Sequence, residues 1–245
     1  MSLSFDLETA ADLAYLDALG RYALRYVKDG QTLGLGTGRA ASAFIRALGE
    51  SGRKVRGVPT SHASAQLGRE VGLEVIDDLA DVTRIDIDFD GADEVDPRLN
   101  LIKGNGGAMV REKIVAAFSR RTVFLVGDEK LVKRLGEHGN LPVEVVSFAL
   151  PYCEREISRL GLRPKIRKNS DGSAYISDNG NLVLNCGTRQ IGNATRLERE
   201  LLAIAGVVGT GLFLKMADLV LVASRLDGSV RALRPRLANS KKKLR

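Results

Sequence analysis

The sequence predicts an α/β protein in which a doubly wound, mostly parallel sheet carries a smaller α+β domain of ferredoxin-like arrangement. Three observations support this fold class. Short apolar segments alternate with helical patterns between residues 31 and 128, as they do in doubly wound sheets. From residue 141 the order becomes strand, helix, two strands, helix and strand, which is the split arrangement of ferredoxin-like modules. The apolar segment ADLVLVA then returns the chain to the large sheet.

These changes of pattern divide the 245 residues into three parts. We assign residues 1–140 and 212–230 to the large domain, residues 141–211 to the small domain and residues 231–245 to a basic tail. The tail contains seven Lys and Arg residues and no acidic residue, so it carries the whole net charge of +7. The basic character of the protein therefore indicates nothing about the function of its core.

The composition argues against several classes of function. The chain has no Trp and only 5% aromatic residues, which does not favour a base-stacking nucleic-acid surface. It has no apolar run of the roughly 20 residues that a membrane span needs, and its acidic beginning lacks the features of a signal peptide. Its cysteines, Cys153 and Cys186, and its histidines, His62 and His138, lie in no metal-binding motif. We therefore expect a cytoplasmic protein that binds no metal, nucleic acid or membrane.

The first elements predict an anion-binding turn. A helix is expected from about Leu7 to Val27, and a short strand, a glycine turn and a second helix follow in QTLGLGTGRAASAFIRALGE. Backbone N–H groups of such a turn attract anions together with the helix N-terminus. The dinucleotide pattern GxGxxG fails because Arg39 occupies its third glycine position, which disfavours a nicotinamide oxidoreductase. Tight packing alone is the alternative, but the Arg39 guanidinium favours a phosphate ligand.

The stretch from residue 85 to residue 119 has the clearest site pattern. Alternating apolar residues predict a strand, and an acidic loop, Lys103 and a glycine run follow it. The period then becomes helical, and the predicted core face of this helix consists of Val110, Ile114, Val115 and Phe118. Glu112 lies about 200° around the helix from Val110, so we expect it to point away from the core stripe and toward the glycines. A solvated acidic loop before an amphipathic helix is the alternative.

Polar residues follow several of the predicted strands. Thr37, Thr60, Asp90 and the segment Asp128-Glu129-Lys130 all lie at such carboxyl ends. Ligands of doubly wound sheets bind beyond the carboxyl ends of the strands. The sequence therefore predicts one site that these residues share. In the small domain, PVEVVSF, PKIRKN, AYISDNGNLVLNC and GVVGTGLF predict strands, and helices are expected near residues 152–160 and 194–204.

Eight segments, taken in order, resemble one known family. They are GLGTG at 34–38, VPTS at 58–61, DGADEVD at 90–96, IKGNGGA at 102–108, REKI at 111–114, LPVEV at 141–145, SDNGN at 177–181 and GVVGTGLF at 206–213. The chain resembles the A-type ribose-5-phosphate isomerases over roughly residues 10–223. The resemblance implies a Rossmann-like domain with a small α+β domain, and a homodimer or homotetramer. It implies interconversion of ribose 5-phosphate and ribulose 5-phosphate, a step of the pentose phosphate pathway, without metal or other cofactor.

The resemblance also implies the residues of the site. It assigns the catalytic base to Glu112 and further catalytic roles to Asp90, Asp93 and Lys103. It assigns substrate binding to Thr37, Gly38, Arg39, Ala40, Gly91, Ala92, Gly104, Asn105, Gly106 and Lys130. In the implied reaction Glu112 moves a proton between two carbons of the sugar through an enediolate, while residues 37–40 bind the phosphate.

Four positions depart from the family pattern. Arg39 and Ala40 replace two hydroxyl residues, Leu16 replaces a lysine of the first helix, and Asn105 replaces a glycine after the site lysine. The first three changes alter the expected phosphate site and leave the choice of sugar phosphate open. The alternatives are a sugar-phosphate-binding sensor, an isomerase/deaminase acting on another sugar phosphate, and a CoA transferase on a similar sheet.

Overall fold

A computed structural model describes residues 10–235 of the chain. The helices are α1 (Ala10–Ala23), α2 (Arg39–Glu50), α3 (His62–Glu70), α4 (Met109–Phe118), α5 (Leu150–Arg159) and α6 (Ala194–Leu202). The strands are β1 (Thr32–Leu35), β2 (Arg56–Pro59), β3 (Glu74–Val75), β4 (Ile87–Gly91), β5 (Glu94–Val95), β6 (Leu101–Ile102), β7 (Thr122–Gly127), β8 (Asn140–Val145), β9 (Arg163–Ile166), β10 (Leu182–Gly187), β11 (Val207–Thr210), β12 (Leu212–Phe213), β13 (Leu219–Ala223) and β14 (Val230–Leu233). Short 3-10 helices lie at Leu24–Tyr26, Leu79–Asp81, Asp128–Lys130 and Ser147–Ala149.

The largest sheet has seven strands in the order β14-β13-β7-β4-β1-β2-β3. Its strands are parallel except β14, which runs antiparallel to β13. Strands β1, β7 and β13 are buried along their whole length, as their continuous apolar runs predict for a sheet covered on both faces. Phe89 of β4 stacks on Phe44 of α2 on one face, while α4 packs on the other. The predicted α/β fold class is confirmed.

A second sheet has four antiparallel strands in the order β11-β8-β10-β9. With α5 after β8 and α6 after β10, this order gives the split strand–helix–strand–strand–helix–strand arrangement that the sequence predicts. Cys153 and Cys186 lie buried in its core as free thiols. Ile102, Val132, Leu135 and Leu212 belong to the same core although they lie outside residues 141–211.

The segment GVVGTGLF forms two strands rather than the one that its apolar pattern predicts. It is interrupted at Gly211, whose N–H donates to the Pro142 carbonyl and whose carbonyl accepts from the Lys103 N–H. A Cβ atom at Gly211 would overlap the Lys103 carbonyl oxygen, so only glycine fits this crossing. Beyond it, β12 joins β6 and β5 in a third, three-stranded sheet.

The ends of the described chain differ from the sequence-based interpretation. The first helix begins at Ala10 and passes into a 3-10 turn at Leu24, and residues 7–9 lie outside the described part. Residues 230–233 form β14, so the segment interpreted as a basic tail begins as an edge strand of the large sheet. Residues 236–245 lie outside the described part. No helix within residues 10–235 is long and apolar enough to cross a membrane.

The predicted core face of α4 is wrong for Ile114 and Phe118, although Val115 is buried as predicted. The helix buries Met109, Glu112, Val115 and Ala116, whereas Ile114 and Phe118 are 47% and 41% exposed. The buried stripe therefore includes a charged residue that an apolar pattern cannot select. Glu112 points into the protein, on the side of the helix that faces β4 and Lys103.

Candidate active site

A lysine and two carboxyl groups form a buried cluster at the carboxyl edge of the large sheet. Asp90 lies near the end of β4, Lys103 follows β6, and Glu112 lies in the first turn of α4. Lys103 Nζ lies 3.0 Å from Asp90 Oδ2 and 3.3 Å from Glu112 Oε2, and it donates a hydrogen bond of 2.5 Å to the Gly91 carbonyl. None of the three charged side chains is more than 4% exposed.

The glycine run places these groups together. Gly104 and Gly107 have φ values of +104° and +83°, which glycine adopts without strain, and the Gly107 N–H donates to the Gly104 carbonyl. The resulting tight turn lets α4 begin directly after β6. A side chain at Gly107 would also overlap Tyr175, whose hydroxyl lies 3.4 Å from the Gly106 carbonyl.

Asp90 joins the turn after β1 to the cluster. Its Oδ1 accepts hydrogen bonds from Thr37 N at 3.1 Å and from Gly91 N at 2.7 Å. The Thr37 hydroxyl donates to Ser61 Oγ and lies 2.7 Å from Thr60 Oγ1, so the ends of β1, β2 and β4 are tied together. Thr37, Thr60 and Asp90 thus meet where the sequence predicts.

Burial dominates the protonation of the cluster. Burial, strengthened by the Asp90 charge and opposed by Lys103, raises the pKa of Glu112 to about 8. Burial also raises the pKa of Asp90, although Lys103 and the hydrogen bonds from Gly91 and Thr37 oppose this shift. Burial alone would lower the pKa of Lys103, but the charges of Asp90 and Glu112 raise it above its ordinary value. Lys103 is therefore charged, and Glu112 exchanges its proton near neutral pH.

Asp93 and Asn105 complete the loop side of the site. Asp93 Oδ2 accepts from Asn105 N at 2.9 Å, and Asn105 Oδ1 accepts from Asn140 Nδ2 at 2.9 Å. Arg167 Nη1 donates to the Asn105 carbonyl at 3.0 Å. The asparagine that departs from the family pattern is therefore held by partners on both sides.

A cavity of about 450 Å³ opens beside the cluster. Every predicted site residue except Asp90 lines it: Thr37, Gly38, Arg39, Ala40, Gly91, Ala92, Asp93, Lys103, Gly104, Asn105, Gly106, Glu112 and Lys130. Asp90 is fully buried behind this wall, so it contacts the other site residues and not the cavity. Other cavities of about 510 and 520 Å³ contain no buried charged side chain, so chemistry and not volume identifies the site.

The far end of the cavity is the predicted phosphate turn. Gly38 has a φ of +104° and caps α2 without a side-chain hydrogen bond, and Arg39 is the first residue of that helix. The Thr37 N–H already donates to Asp90, so it does not face an anion. Leu16 and Lys130 line the same end.

Two side chains near the cavity, Tyr15 and Asp88, were missed by sequence reasoning, whereas Glu129 belongs to a strand end that the sequence predicts as part of the site. Tyr15 lines the cavity with its Oη 3.5 Å from Glu129 Oε1, and no pattern distinguishes it from an ordinary core residue of α1. Asp88 is fully buried on β4, and neither of its carboxyl oxygens has a hydrogen-bond partner. The alternation IDIDFD could have revealed it, because Asp88 and Asp90 share one face of the strand.

No group of three His, Cys, Asp or Glu side chains within residues 10–235 is arranged to hold a metal ion. The charged groups that line the described cavity are the ammonium groups of Lys103 and Lys130, the Arg39 guanidinium and the carboxyl groups of Asp93, Glu112 and Glu129. Such a site suits proton transfer at an uncharged carbon next to a polarised oxygen.

Comparison with known proteins gives a consistent family. The model of the family described as ribose 5-phosphate isomerase A (phosphoriboisomerase A) matches residues 56–227. Ribose-5-phosphate isomerase A of Roseiflexus sp. (strain RS-1) is 45% identical over 224 residues, which cover 89% of this chain and 95% of that protein. The enzyme of the same name from Thermomicrobium roseum is 47% identical over 208 residues, covering 83% and 87%.

Solved structures agree with the sequence comparison. A D-ribose-5-phosphate isomerase in complex with phospho-erythronic acid matches with a TM-score of 0.86 and 33% identity, covering 90% of this chain and 98% of that chain. Ribose 5-phosphate isomerase A from Methanocaldococcus jannaschii matches with a TM-score of 0.84 and 38% identity at the same coverage.

Proposed function

The chain belongs to the ribose 5-phosphate isomerase A family, and on that premise we propose that its buried cluster interconverts D-ribose 5-phosphate and D-ribulose 5-phosphate. In this aldose–ketose isomerisation a proton moves between C2 and C1 through a planar enediolate. The observation that carries the proposal is Glu112, a buried carboxyl group that lines the cavity 3.3 Å from the Lys103 ammonium. A base and a cation within reach of one bound sugar are what the reaction requires.

Glu112 is the proposed base. One carboxylate above the enediolate plane takes the proton from one carbon and returns it to the other. A pKa raised to about 8 makes Glu112 a stronger base than an exposed glutamate and matches it to neutral conditions. Its position on the first turn of α4 fixes it over the cavity wall instead of on a mobile loop.

Lys103 is the proposed stabiliser of the enediolate oxygen. Its Nζ donates to the Gly91 carbonyl and lies 3.0 Å from Asp90 Oδ2 and 3.3 Å from Glu112 Oε2. A substrate oxygen that enters the cavity displaces Glu112 from the Lys103 ammonium. This exchange gives the developing oxyanion a cation and releases Glu112 to take the proton. One preorganised donor of this kind contributes roughly 10²–10³ in rate.

The two aspartates have different proposed roles. Asp93 lines the cavity and handles the hydroxyl protons and ring opening of the sugar. Asp90 stays behind the wall, where it holds Lys103 and the Thr37 turn in place. Gly91 and Ala92, which lie between the two aspartates in the sequence, also line the cavity.

The phosphate is proposed to bind at the end of the cavity formed by residues 37–40 and Lys130. The N-terminus of α2 and the Arg39 and Lys130 charges favour an anion there. Leu16 supplies no charge at the position where the family has lysine, so Arg39 takes over this part of phosphate recognition. Binding energy from the phosphate holds the sugar for reaction at Glu112.

The family resemblance also bears on the assembly and location of the protein. We propose a homodimer or homotetramer in the cytoplasm, as the family resemblance implies. Exposed apolar side chains near the start of α5 and in β11 support self-association: Val146, Phe148, Tyr152 and Val208. Phe148 is 97% exposed, which is unusual for a phenylalanine of a monomer.

The test is a direct assay with ribose 5-phosphate, in which formation of the ketose is followed over time. Glu112→Gln should fold and lose about 10²–10⁴ in kcat, because only the proton acceptor is removed. The matched control is Glu198→Gln, a half-buried glutamate paired with Lys113 away from the cavity, which should keep native turnover. Near-native kcat in Glu112→Gln would refute the assignment of the base.

A panel of five- and six-carbon aldose phosphates tests the substrate. Preference for ribose 5-phosphate supports the proposal. Binding of ribose 5-phosphate without turnover would instead indicate a sensor, and release of ammonia from glucosamine 6-phosphate would indicate an isomerase/deaminase.

A further inference from the structure

The turn formed by residues 177–181 is a motif that the proposed reaction does not use. It joins the end of the 167–176 hairpin to β10 and is closed by hydrogen bonds from Ser177 N to the Asn181 carbonyl and from Gly180 N to the Ser177 carbonyl. It lies between β8 of the four-stranded sheet and the N-terminal ends of helices α3 and α4. On the β8 side it contacts one buried carboxyl group, and on the helix side it contacts a charged side chain and a backbone N–H.

On its inner side the turn is held by Glu144 of β8. Glu144 Oε1 accepts from Ser177 Oγ at 2.9 Å, Asn179 Nδ2 at 3.1 Å and Asn181 Nδ2 at 2.9 Å. Glu144 is fully buried, and these three donors are uncharged. Within residues 10–235 no ion pair compensates the Glu144 carboxyl group, and burial without one costs free energy, so packing alone does not account for its position. What the three bonds achieve is a fixed orientation of the turn.

On its outer side the turn reaches the start of α4. Asn179 Oδ1 accepts from Arg111 Nε at 2.8 Å, and the Asp178 carbonyl accepts from Arg111 Nη2 at 2.7 Å. Arg111 immediately precedes Glu112. Because Glu144 holds the Nδ2 end of Asn179, the Oδ1 end must face Arg111. The amide therefore links a buried carboxyl group of one sheet to the helical turn that carries the proposed base.

The same turn reaches the start of α3. Asp178 Oδ2 accepts from His62 N, the first residue of α3, at 2.7 Å. The residue before it, Ser61, caps α3 and accepts from the Thr37 hydroxyl at 2.7 Å. Asp178 therefore supports the helix end against which the proposed phosphate turn is packed.

We propose that the 177–181 turn, oriented by Glu144, is a positioning device with two arms: Asn179 sets Glu112 through Arg111, and Asp178 sets the phosphate turn through α3. Neither arm touches the cavity, so Asn179 and Asp178 are positioning residues and not catalytic ones. The inference rests on the proposed function, because it assumes that Glu112 and residues 37–40 act on one substrate. It predicts that the two arms affect different kinetic constants.

The first experiment compares Asn179→Ala with Asn181→Ala. Both variants lose one hydrogen bond to Glu144, but only Asn179→Ala loses the contact with Arg111. Asn179→Ala should lower kcat by about tenfold with KM within about twofold of native, since small displacements of a reacting group cost rate steeply. Asn181→Ala should keep the native kcat while its melting temperature falls as far as that of Asn179→Ala. Equal kcat values in the two variants would overturn the Asn179 arm.

The second experiment reaches the same contact from α4. Arg111→Met leaves the turn intact, so it remains informative if Asn179→Ala does not fold. It should lower kcat at least as far as Asn179→Ala does, because it removes the bond to the Asp178 carbonyl as well as the bond to Asn179. The double variant should be no slower than Arg111→Met, because the contact between Asn179 and Arg111 is already absent there. Additive losses in the double variant would show that Asn179 does not act through Arg111.

The third experiment tests the Asp178 arm. Asp178→Ala should raise KM for ribose 5-phosphate about fivefold to tenfold with kcat near native, because the helix end that supports the phosphate turn loses its acceptor. Asp178→Asn retains an oxygen that can accept from His62 N and should restore the native KM. A fall in kcat without a change in KM, or no rescue by Asn, would overturn this arm.

Glu112→Gln distinguishes failure of the positioning proposal from failure of the proposed function. An active native protein with an inactive Glu112→Gln variant, together with equal kcat values for Asn179→Ala and Asn181→Ala, overturns the positioning device alone. A native protein without isomerase activity overturns the proposed function and the positioning device with it.

Discussion

At the scale of single residues, one ammonium serves three buried carboxyl groups. Lys103 contacts Asp90 and Glu112, and Asp88 lies behind Asp90 on the same face of β4 without a hydrogen-bond partner. Burial raises the pKa of Asp88 well above its ordinary value, and the charge of Asp90 adds to the shift. One positive charge cannot balance three negative ones in a dry site, so the free protein retains protons on this cluster at neutral pH.

The pH dependence of turnover follows from Glu112. The proposed base acts only when ionised, and its pKa is raised to about 8. Activity, measured as kcat/KM for ribose 5-phosphate, should therefore fall as pH decreases through about 8, whereas an ordinary glutamate would remain active to below pH 5. Initial rates between about pH 4 and pH 10 at constant ionic strength give the profile. An acidic limb centred near pH 4.5 would contradict a buried base.

The pH dependence of stability follows from Asp88. The native state keeps a proton on Asp88 that the unfolded chain releases above pH 3.8, so this group lowers the free energy of unfolding progressively as pH rises above that value. Asparagine cannot ionise. Asp88→Asn should therefore be more stable than the native protein at pH 8 and nearly equal to it at pH 4, as measured by urea unfolding at both pH values.

Asp86→Asn is the control for this prediction. Asp86 immediately precedes β4, and its carboxylate accepts from Thr32 N at 3.0 Å and pairs with Arg84. Its replacement removes favourable contacts and should not stabilise the protein at pH 8. A stability gain of Asp88→Asn that is the same at pH 4 and pH 8 would show that protonation is not its cause.

At the scale of elements, α4 buries a charged residue of the site and exposes apolar residues that its sequence pattern places in the core. Val110, Ile114 and Phe118 recur every four residues and predict a core stripe, yet the helix turns Glu112 and Met109 inward. The charge of Glu112 is compensated by Lys103, which follows strand β6. The periodicity of α4 cannot reveal this partner, because it lies outside the helix. The apolar stripe that the pattern detects is left partly exposed.

Two substitutions in α4 test this orientation. Met109 is fully buried, so Met109→Ala should lower the free energy of unfolding by about 2–5 kcal/mol. Ile114 is 47% exposed, and Ile114→Ala should cost well below about 1 kcal/mol in the monomer. Chemical denaturation at low protein concentration measures both. A larger loss for Ile114→Ala would indicate that the predicted face is the buried one.

The elements that the sequence predicts well are those with long or continuous patterns. The apolar runs of β7 and β13 and the strand–helix order of residues 141–211 were predicted correctly, as was the family. Strands β5 and β6 were not predicted, and β12 was predicted only as the end of a single strand with β11. Two-residue strands have no period of their own, because they form only through hydrogen bonds to their neighbours. Lys103 follows one of them, so the geometry around it was beyond sequence reasoning although the residue itself was identified.

At the scale of the whole molecule, an exposed apolar surface is the candidate contact of the proposed assembly. Val146 and Phe148 precede α5, Tyr152 lies in its first turn, and Val208 lies in β11, the edge strand next to β8. The Val146 N–H donates to the Gly206 carbonyl, so the two segments adjoin. Contiguous exposed apolar groups at a sheet edge are typical of contacts between subunits.

Replacement of Phe148 tests the assembly. Phe148→Asp places a charge on a side chain that is 97% exposed, so the fold of the subunit should be unaffected. If the patch joins two copies, the variant should have a lower mass by light scattering than the native protein at the same concentration. Leu226→Asp is the control, because Leu226 is equally exposed but lies away from this patch in the loop before β14. An unchanged mass in Phe148→Asp would exclude this patch as the contact.

The crossing at Gly211 has a consequence for synthesis of the protein. The Lys103 N–H is held by the Gly211 carbonyl, while Asp90, Lys103 and Glu112 all leave the ribosome much earlier. A nascent chain that has not reached residue 211 therefore contains every proposed reacting group. It lacks the Gly211 carbonyl that fixes the backbone position of Lys103. We therefore expect the protein to become able to turn over substrate only after residue 211 has left the ribosome.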